Sequence, residues 1–353
     1  MTTTHVIRTR SARGPASVPR RLVGDDVRAY LEDAAHTPGG HTPAVVLPRT
    51  EAEVVEAIRD AGAVLPVGAQ SSLTGGATPF GAVVLSLARM DVVGEIRSNR
   101  VRVEAGVSLL ALAEALAPHG LFYPPESTFR GALVGGTVST NAAGAATFKY
   151  GSTRRWVSAL TVVLSDGEVL DVERGACRAH PDGYFDVVGR SGETRRVPIP
   201  SYRMPGVAKR SAGYHAEPGM DLVDLFVGAE GTLGVITEVD LDLARDCPRL
   251  GGWISYTSEA AAIAAVGRLR DASKATWATR DPRGVDVAAI ESLDRRCLDL
   301  LREEGRDAAA GVRVPADAAT SILFQAELPT GTTASDVMGQ VGAFGEGGGG
   351  DTA

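Results

Sequence analysis

The stretch Pro66-Val67-Gly68-Ala69-Gln70-Ser71-Ser72-Leu73-Thr74-Gly75-Gly76 decides how the rest of the chain is read. It follows Val64 to Val67, an apolar run that predicts a strand, and it is short on side-chain bulk and rich in hydroxyls. Such a loop can aim successive backbone N–H groups at phosphate oxygens. No Gly-Lys-Ser/Thr closes it and no Gly-x-Gly-x-x-Gly turn lies within it, so it is neither a Walker loop nor a Rossmann turn. By itself the segment reads equally well as a surface turn.

Outward from this loop, short strands are predicted at Val45 to Leu47, Val83 to Leu87 and Val101 to Glu104. Thr50 and Glu53 form a capping box that opens a helix with Val54, Val55 and Ile58 on one face, ended by Gly62. Ser108 caps a second helix bearing Leu109, Leu112 and Leu116, and Pro118 stops it. Val157 to Leu164 and Glu168 to Val172 predict a hairpin turning at Asp166-Gly167. Residues 174–205 are polar and contain Pro and Gly, which predicts an excursion loop. Val235, Thr237, Val239, Leu241 and Leu243 alternate with Glu238, Asp240 and Asp242, the pattern of a half-buried strand. Beyond Cys247-Pro248 the character changes. An Ala-rich helix from Ser258, a helix carrying Ile290, Leu293, Cys297 and Leu301, and a strand near Ser321 to Leu328 are predicted there.

Two further segments share the character of the first. One is Pro124-Pro125-Glu126-Ser127-Thr128 with Gly131, followed by Val134-Gly135-Gly136-Thr137-Val138-Ser139-Thr140-Asn141-Ala142-Ala143-Gly144. The other is Gly228-Ala229-Glu230-Gly231-Thr232-Leu233-Gly234-Val235-Ile236, which leads into the alternating strand. Each alone reads as a packing crossover or a tight turn.

In this order and at these separations, the three segments resemble the FAD-binding domain of the vanillyl-alcohol oxidase / p-cresol methylhydroxylase superfamily. Pro66 to Gly76 matches the family's first loop without a gap, Gly135 to Gly144 its second, and Lys149-Tyr150-Gly151 the Lys-Tyr-Gly that follows. Val-Glu-Ala-Gly-Val at 103–107 is also typical, and Gly228 to Gly234 matches the last segment with Ala229 in a Ser position. The resemblance covers residues 41–246. It implies that Pro66, Val67, Gly68, Ala69, Gln70, Ser71, Ser72, Gly75, Gly76, Gly135 and Gly136 hold the FAD pyrophosphate. It further implies that Ser127, Gly131, Thr137, Thr140, Asn141, Gly144 and Gly151 line the cofactor, and that Glu230, Gly231, Thr232, Leu233, Gly234, Val235 and Ile236 contact its adenosine and flavin side. Ala69 and Gln70 replace family glycines, leaving the backbone less free. Covalent relatives carry a histidine in this loop; Gln70 stands here, so a non-covalent FAD is expected.

The chain has 353 residues, more than one ordinary core, so two domains are expected. The expected fold is α+β, a two-subdomain FAD-binding fold with an incomplete α/β cap. The layout is an N-terminal arm at 1–40, an FAD-binding domain at 41–246 with subdomains of about 41–97 and 98–246, a partial cap at 247–344 and a disordered tail at 345–353. A net charge of −7 leaves no nucleic-acid footprint. The three cysteines are far apart and form no disulfide framework, which suits a reducing cytoplasm. The first residues form no secretory signal and no run approaches a membrane span.

Within the superfamily, the later part of the chain resembles D-lactate dehydrogenases, glycolate oxidase flavin subunits and D-2-hydroxyglutarate dehydrogenases. Lys209 to Tyr214 and Ala289-Ile290-Glu291-Ser292-Leu293-Asp294 carry that likeness. It implies oxidation of a 2-hydroxy acid by hydride transfer to flavin N5, with an electron acceptor the sequence does not name. The family's base and metal ligands are late cap histidines, but the six histidines here end at His215. No metal site is therefore expected, and the chain reads as C-terminally short. Arg203, Lys209, Arg210, Tyr214 and His215 are the candidates left: a cation for a carboxylate, and Tyr214 or His215 for acid/base work. The bland reading is a solvated basic stretch over a packed Tyr214. Glu230 and the Glu303-Glu304 pair read as structural and solvated carboxylates. Two alternatives follow: a flavin-binding subunit or paralogue without its own catalytic site, and a flavin-dependent alkyl transferase resembling alkyl-dihydroxyacetonephosphate synthase. An open cap edge would favour a partner subunit or self-association.

Overall fold

The computed structural model describes residues 4–328 except 16, 126, 208 and 282, together with residues 333, 335, 336 and 339. The expected tail at 345–353 lies outside the described residues. The chain divides into two units, one of residues 1–144 and 151–245, the other of residues 145–150 and 246–353.

In the first unit, a four-stranded sheet has the order β2 (Arg20–Leu22), β3 (Val45–Leu47), β5 (Val83–Ser86), β4 (Val64–Val67). The last three strands are parallel. Parallel strands are covered on both faces and read as unbroken apolar runs, as Val45-Val46-Leu47 does. Helix α1 (Glu51–Asp60) covers one face with Val54, Val55 and Ile58, packed against Val46 and Leu85. Val27, from the short turn Gly24–Tyr30, packs on the other face against Val45 and Val84. Thr50 caps α1, its hydroxyl accepting from Glu53 N at 3.2 Å.

A five-stranded antiparallel sheet has the order β10 (Val169–Glu173), β9 (Val157–Val163), β13 (Val235–Asp242), β7 (Arg100–Glu104), β6 (Val93–Arg97). The hairpin of β9 and β10 and the alternating strand β13 were legible. Helices α2 (Leu109–Leu116), α3 (Val134–Ser139) and α5 (Leu222–Phe226) bury Leu112, Val134, Val138 and Val223 in one core with Leu160, Val239 and Leu241. The hairpin of β6 and β7 spans residue 97, so the two sheets part before Val93 instead of near residue 97. A two-stranded pair, β8 (Leu121–Phe122) with β14 (Ala244–Arg245), completes this part.

Two expectations are corrected here. Residues 174–205 are not a plain excursion: β11 (Tyr184–Val188) and β12 (Thr194–Pro198) form a hairpin within them. The outer strand is polar, Thr-Arg-Arg-Val-Pro, which hid the alternation; the inner one buries Phe185 fully. The described residues of the first 40 are not a loose arm either. β1 (Val6–Arg8) pairs in parallel with β11, and β2 pairs with β3. Arg10 bonds both Glu51 (2.6 Å) and Asp171 (2.5 Å). These ties are backbone bonds and ion pairs from a segment with no apolar periodicity, so pattern reading passes over them.

The second unit holds a three-stranded antiparallel sheet ordered β15 (Arg249–Tyr256), β17 (Thr320–Glu327), β16 (Val287–Asp294). Helix α6 (Glu259–Thr279) lays Ala262, Ala265 and Leu269 on one face, toward Tyr256, Ile322, Phe324 and Val287. A methyl on Gly252 would lie 2.0 Å from the Phe324 ring, so β15 needs glycine there. The helix expected across Ile290 to Leu301 is half strand. Ile290 and Leu293 lie in β16, paired with Phe324 and Ser321, and only α7 (Arg295–Glu303), followed by α8 (Arg306–Ala309), is helical. Asp294 ends the strand by capping α7, its carboxylate accepting from Cys297 N at 2.8 Å. Three- and four-residue apolar spacings had bridged this junction.

Residues 145–150, with α4 (Thr147–Tyr150), join this second unit through a partly buried ionic cluster. Lys149 Nζ lies 2.7 Å from Asp286 and 2.6 Å from Glu327, Tyr150 donates to Glu327 at 2.5 Å, and Trp277 donates to Asp286 at 2.7 Å. Burial alone would raise the Glu327 carboxyl, but Lys149 and Tyr150 outweigh it and hold it below its ordinary range. Burial, helped by Glu327, pushes the Cys247 thiol up to about 11.

Candidate cofactor site

The three glycine segments converge within the first unit. Pro66 and Val67 close β4, and the loop from Gly68 to Gly76 leaves its C-terminal end. A methyl built on Gly68 would lie 3.5 Å from Leu133 Cβ and 3.7 Å from Gly136 Cα, so the first and second segments touch. One on Gly231 would meet Pro66 Cγ at 2.6 Å, and one on Gly76 would lie 3.9 Å from Glu230 Oε2, so the first and third touch. The second and third are joined by hydrogen bonds from Gly228 N to Val138 O (3.0 Å) and from Glu230 N to Ser139 O (2.8 Å). Gly231 takes φ 75°, where a side chain would be strained as well as displaced.

Side chains in these segments turn mostly inward. Thr137 donates to Val134 O and Thr140 to Gly136 O. Ser127 donates to Phe129 O, Thr232 to Ala229 O, and Ser72 lies 2.9 Å from Thr74 Oγ1. The hydroxyls of Ser127, Thr137, Thr140 and Thr232 therefore serve the backbone, and those of Ser72 and Thr74 serve each other. Asn141, buried at φ 48°, donates to Arg210 O and accepts from Arg154 N. The side chains of Val235 and Ile236 lie in the core, and Leu233 packs against it. Gly135 is forced by its neighbour, since a methyl there would meet Ala105 Cβ at 2.6 Å, while one on Gly131 would push aside the exposed Phe129 ring. Gly151 stands at φ 73°, where the chain re-enters the first unit after Gly144.

What remains free is backbone. Among the described residues, no hydrogen bond within the chain uses the N–H groups of Ala69 to Leu73. Nothing lies within 4 Å of a methyl built on Gly136. Bare backbone and unspent N–H donors at a strand end suit a doubly charged pyrophosphate without needing a cation. The geometry fits the cofactor that the motifs imply.

The catalytic candidates are less concentrated. Arg203 and Lys209 are exposed, and Arg210 is paired with Glu217. Tyr214 packs against the core, and its hydroxyl lies 2.7 Å from Thr232 Oγ1 in the third segment. His215 is buried, with Nε2 3.7 Å from Glu217 Oε2 and Nδ1 unpartnered. Burial first, and Arg154 next, push its pKa below the usual imidazole range. Among these candidates, all of them described, Tyr214 is the one whose side chain hydrogen-bonds a residue of the three segments.

The reading of the residues missed Arg154. Its guanidinium donates to the carbonyls of Asp224 and Val227 and stands beside Gly228, under the third segment. Burial lowers its pKa most, and Asp224 opposes that. Its place three residues after Lys-Tyr-Gly was the only signal in the sequence.

The family described as "FAD binding domain" matches residues 42–173. A D-lactate dehydrogenase from Anaerostipes hadrus is 35% identical over 233 residues, 63% of this chain and 41% of that protein. The mitochondrial D-2-hydroxyglutarate dehydrogenase of Bos taurus is 29% identical over 81% of this chain and 46% of its own length. Glycolate oxidase subunit GlcD of Bacillus subtilis is 26% identical over 87% and 56%. The chain thus spans about half the length of the curated relatives it matches. Among solved structures, an alkyldihydroxyacetonephosphate synthase superposes with a TM-score of 0.62 at 15% identity, over 90% of this chain and 52% of that one, a likeness of fold. With its three segments converged, the chain matches the family of FAD-binding domains over residues 42–173 and is similar beyond that to the relatives named above.

Proposed function

We propose that this chain is an FAD-dependent oxidoreductase that oxidises the hydroxyl-bearing carbon of a 2-hydroxy acid, of the D-lactate or glycolate type. The convergence of the three segments carries the cofactor half of this reading, and the names of the relatives support the substrate half. In this reading Gly68 to Gly76 and Gly135-Gly136 hold the pyrophosphate. Ser127 to Gly131 and Thr137 to Thr140 line the cofactor, and Glu230 to Ile236 run along its adenosine and flavin side. FAD, when bound, supplies the two-electron acceptor. Tyr214, held by Thr232, is the best placed candidate to hold a proton, and His215, kept neutral, can accept one. Arg203 and Lys209 offer cations to a substrate carboxylate. The flavin is non-covalent, since the loop in which covalent relatives carry a histidine has Gln70 and no histidine here.

Anaerobic addition of D-lactate, glycolate or D-2-hydroxyglutarate to the flavin-loaded chain should bleach its visible absorption. No bleaching by any of them sinks the substrate assignment. Acid precipitation should leave all the yellow colour in the supernatant, and colour retained in the pellet would overturn the non-covalent assignment. A second reading, a flavin-binding subunit without its own dehydrogenation site, is favoured by the likeness to a relative that is named as a subunit, GlcD. Under it, the flavin bleaches only when a second chain is supplied.

A further inference from the structure

We infer that Gln70 and Asp33 are positioning residues that lock the first flavin loop to the segment Tyr30–Thr37, so that the loop is set before any cofactor arrives. This rests on the proposed FAD site and adds to it a region outside the three segments.

Gln70 sits at φ 50°, a conformation that glycine adopts freely and glutamine rarely does. Strain of this kind persists only where the surroundings over-determine it. Here they do. The side-chain amide nitrogen lies 3.1 Å from each of three carbonyl oxygens, those of Tyr30, Glu32 and Ala77, and donates its two hydrogens among them. The Gln70 carbonyl in turn accepts from Ala34 N at 2.9 Å. Asp33 answers from the other side. Its buried carboxylate accepts from Ala35 N at 3.1 Å and from Ala77 N at 3.2 Å, and its own N–H donates to Thr78 Oγ1 at 3.2 Å. The two ends of the loop are therefore tied to one short segment by side chains of opposite hydrogen-bonding character: Gln70 gives donors and Asp33 gives acceptors. Gly75 marks the same contact, because a methyl there would lie 2.6 Å from Thr37 Oγ1. With the amide turned toward Tyr30, Glu32 and Ala77, the loop's own N–H groups from Ala69 to Leu73 stay free for an anion. A loop already held in its bound shape loses less conformational freedom on binding.

The test is FAD titration of the flavin-free full-length chain, followed by fluorescence quenching, for wild type and four variants. Gln70→Ala should raise the Kd for FAD about 30-fold, the equivalent of about two ordinary hydrogen bonds. Gln70→Glu keeps the shape but presents acceptors to three carbonyls, and should do at least as much harm. Gln70→Gly, which relieves the φ strain, should recover part of the loss, and Asp33→Asn should raise the Kd about 10-fold. Hydrogen exchange on the flavin-free proteins should show faster exchange confined to residues 30–37 and 68–78. That pattern separates a local brace from general destabilisation, and it can be read in Asp33→Asn even where Gln70→Ala fails to fold. Gln70→Ala and Gln70→Glu binding FAD within twofold of wild type, or exchange rising evenly over the chain, overturns the inference. A wild-type chain that takes up no FAD overturns the cofactor reading instead.

Discussion

The cofactor segments and the stretch from Arg203 to His215 differ in what holds them. The first are fixed largely by backbone: hydrogen bonds from Gly228 and Glu230, a close approach at Gly231, and ordinary contacts at Gly68 and Gly76. The second is fixed by scattered side chains, with Arg210 on Glu217, Tyr214 on Thr232 and His215 buried without a partner for Nδ1. A binding loop made of backbone tolerates few substitutions and leaves a strong motif. A reactive group held by side chains from distant elements leaves almost none.

The sharpest way to break this contrast is Gly231→Val. A side chain there must displace Pro66 and take up φ 75°, so the Kd for FAD should rise at least about 100-fold. Retention of wild-type affinity in a titration would mean that the first and third segments need not touch. Next comes Arg154→Ala, which strips charged donors from the carbonyls of Asp224 and Val227. It should cost about 3 kcal/mol of folding stability, read from urea unfolding. No measurable loss would show that the third segment does not depend on its floor.

The second unit supplies a pH test of side-chain anchoring. Glu327 is held below its ordinary value, so its contribution is complete above about pH 5 and is lost as the pH falls through the depressed value. Tyr150 is raised, by burial first and by its bond to Glu327 next, so its contribution is complete below about pH 9 and is lost as the pH rises toward the raised value. Thermal midpoints should therefore fall at both ends, and Glu327→Gln should flatten the acid limb. An unchanged acid limb would remove the ionic cluster as its cause. The smallest effect belongs to Lys209→Ala. An exposed lysine outside the loops should leave the Kd for FAD within about twofold. A larger change would draw that stretch into the cofactor site.

Legibility followed the same division. Strands β4, β7, β9 and β13 and helices α1 and α2 were readable because each has a period and a cap or turn beside it. The convergence of the loops was implied by a resemblance, since no local pattern brings Gly231 to Pro66. Strands β1, β2 and β12 were missed because they are short and each packs few apolar residues, Ile7, Leu22 and Val197 among them, too few to show a period. The β16–α7 junction was misread because Ile290, Leu293, Cys297 and Leu301 fit a helical period by accident. The Tyr30–Thr37 contact was invisible for a different reason: Gln70 reaches the carbonyl of Tyr30, and Asp33 reaches the N–H of Ala77, through long-range hydrogen bonds that no hydropathy pattern records.

The short run from Ala145 to Tyr150 has a practical side. It is spelled in the middle of one unit's sequence and is satisfied by the other's carboxylates. Splitting the gene at codon 246 would give two fragments, each wrong in its own way: one with an ammonium and a phenol stripped of their acceptors, the other with Asp286 and Glu327 stripped of their cation. No single cut separates the chain into two chemically complete halves. Shuffling this cofactor module onto other scaffolds therefore has to carry the matching carboxylates with it, or replace Lys149 and Tyr150 by apolar residues at the same time.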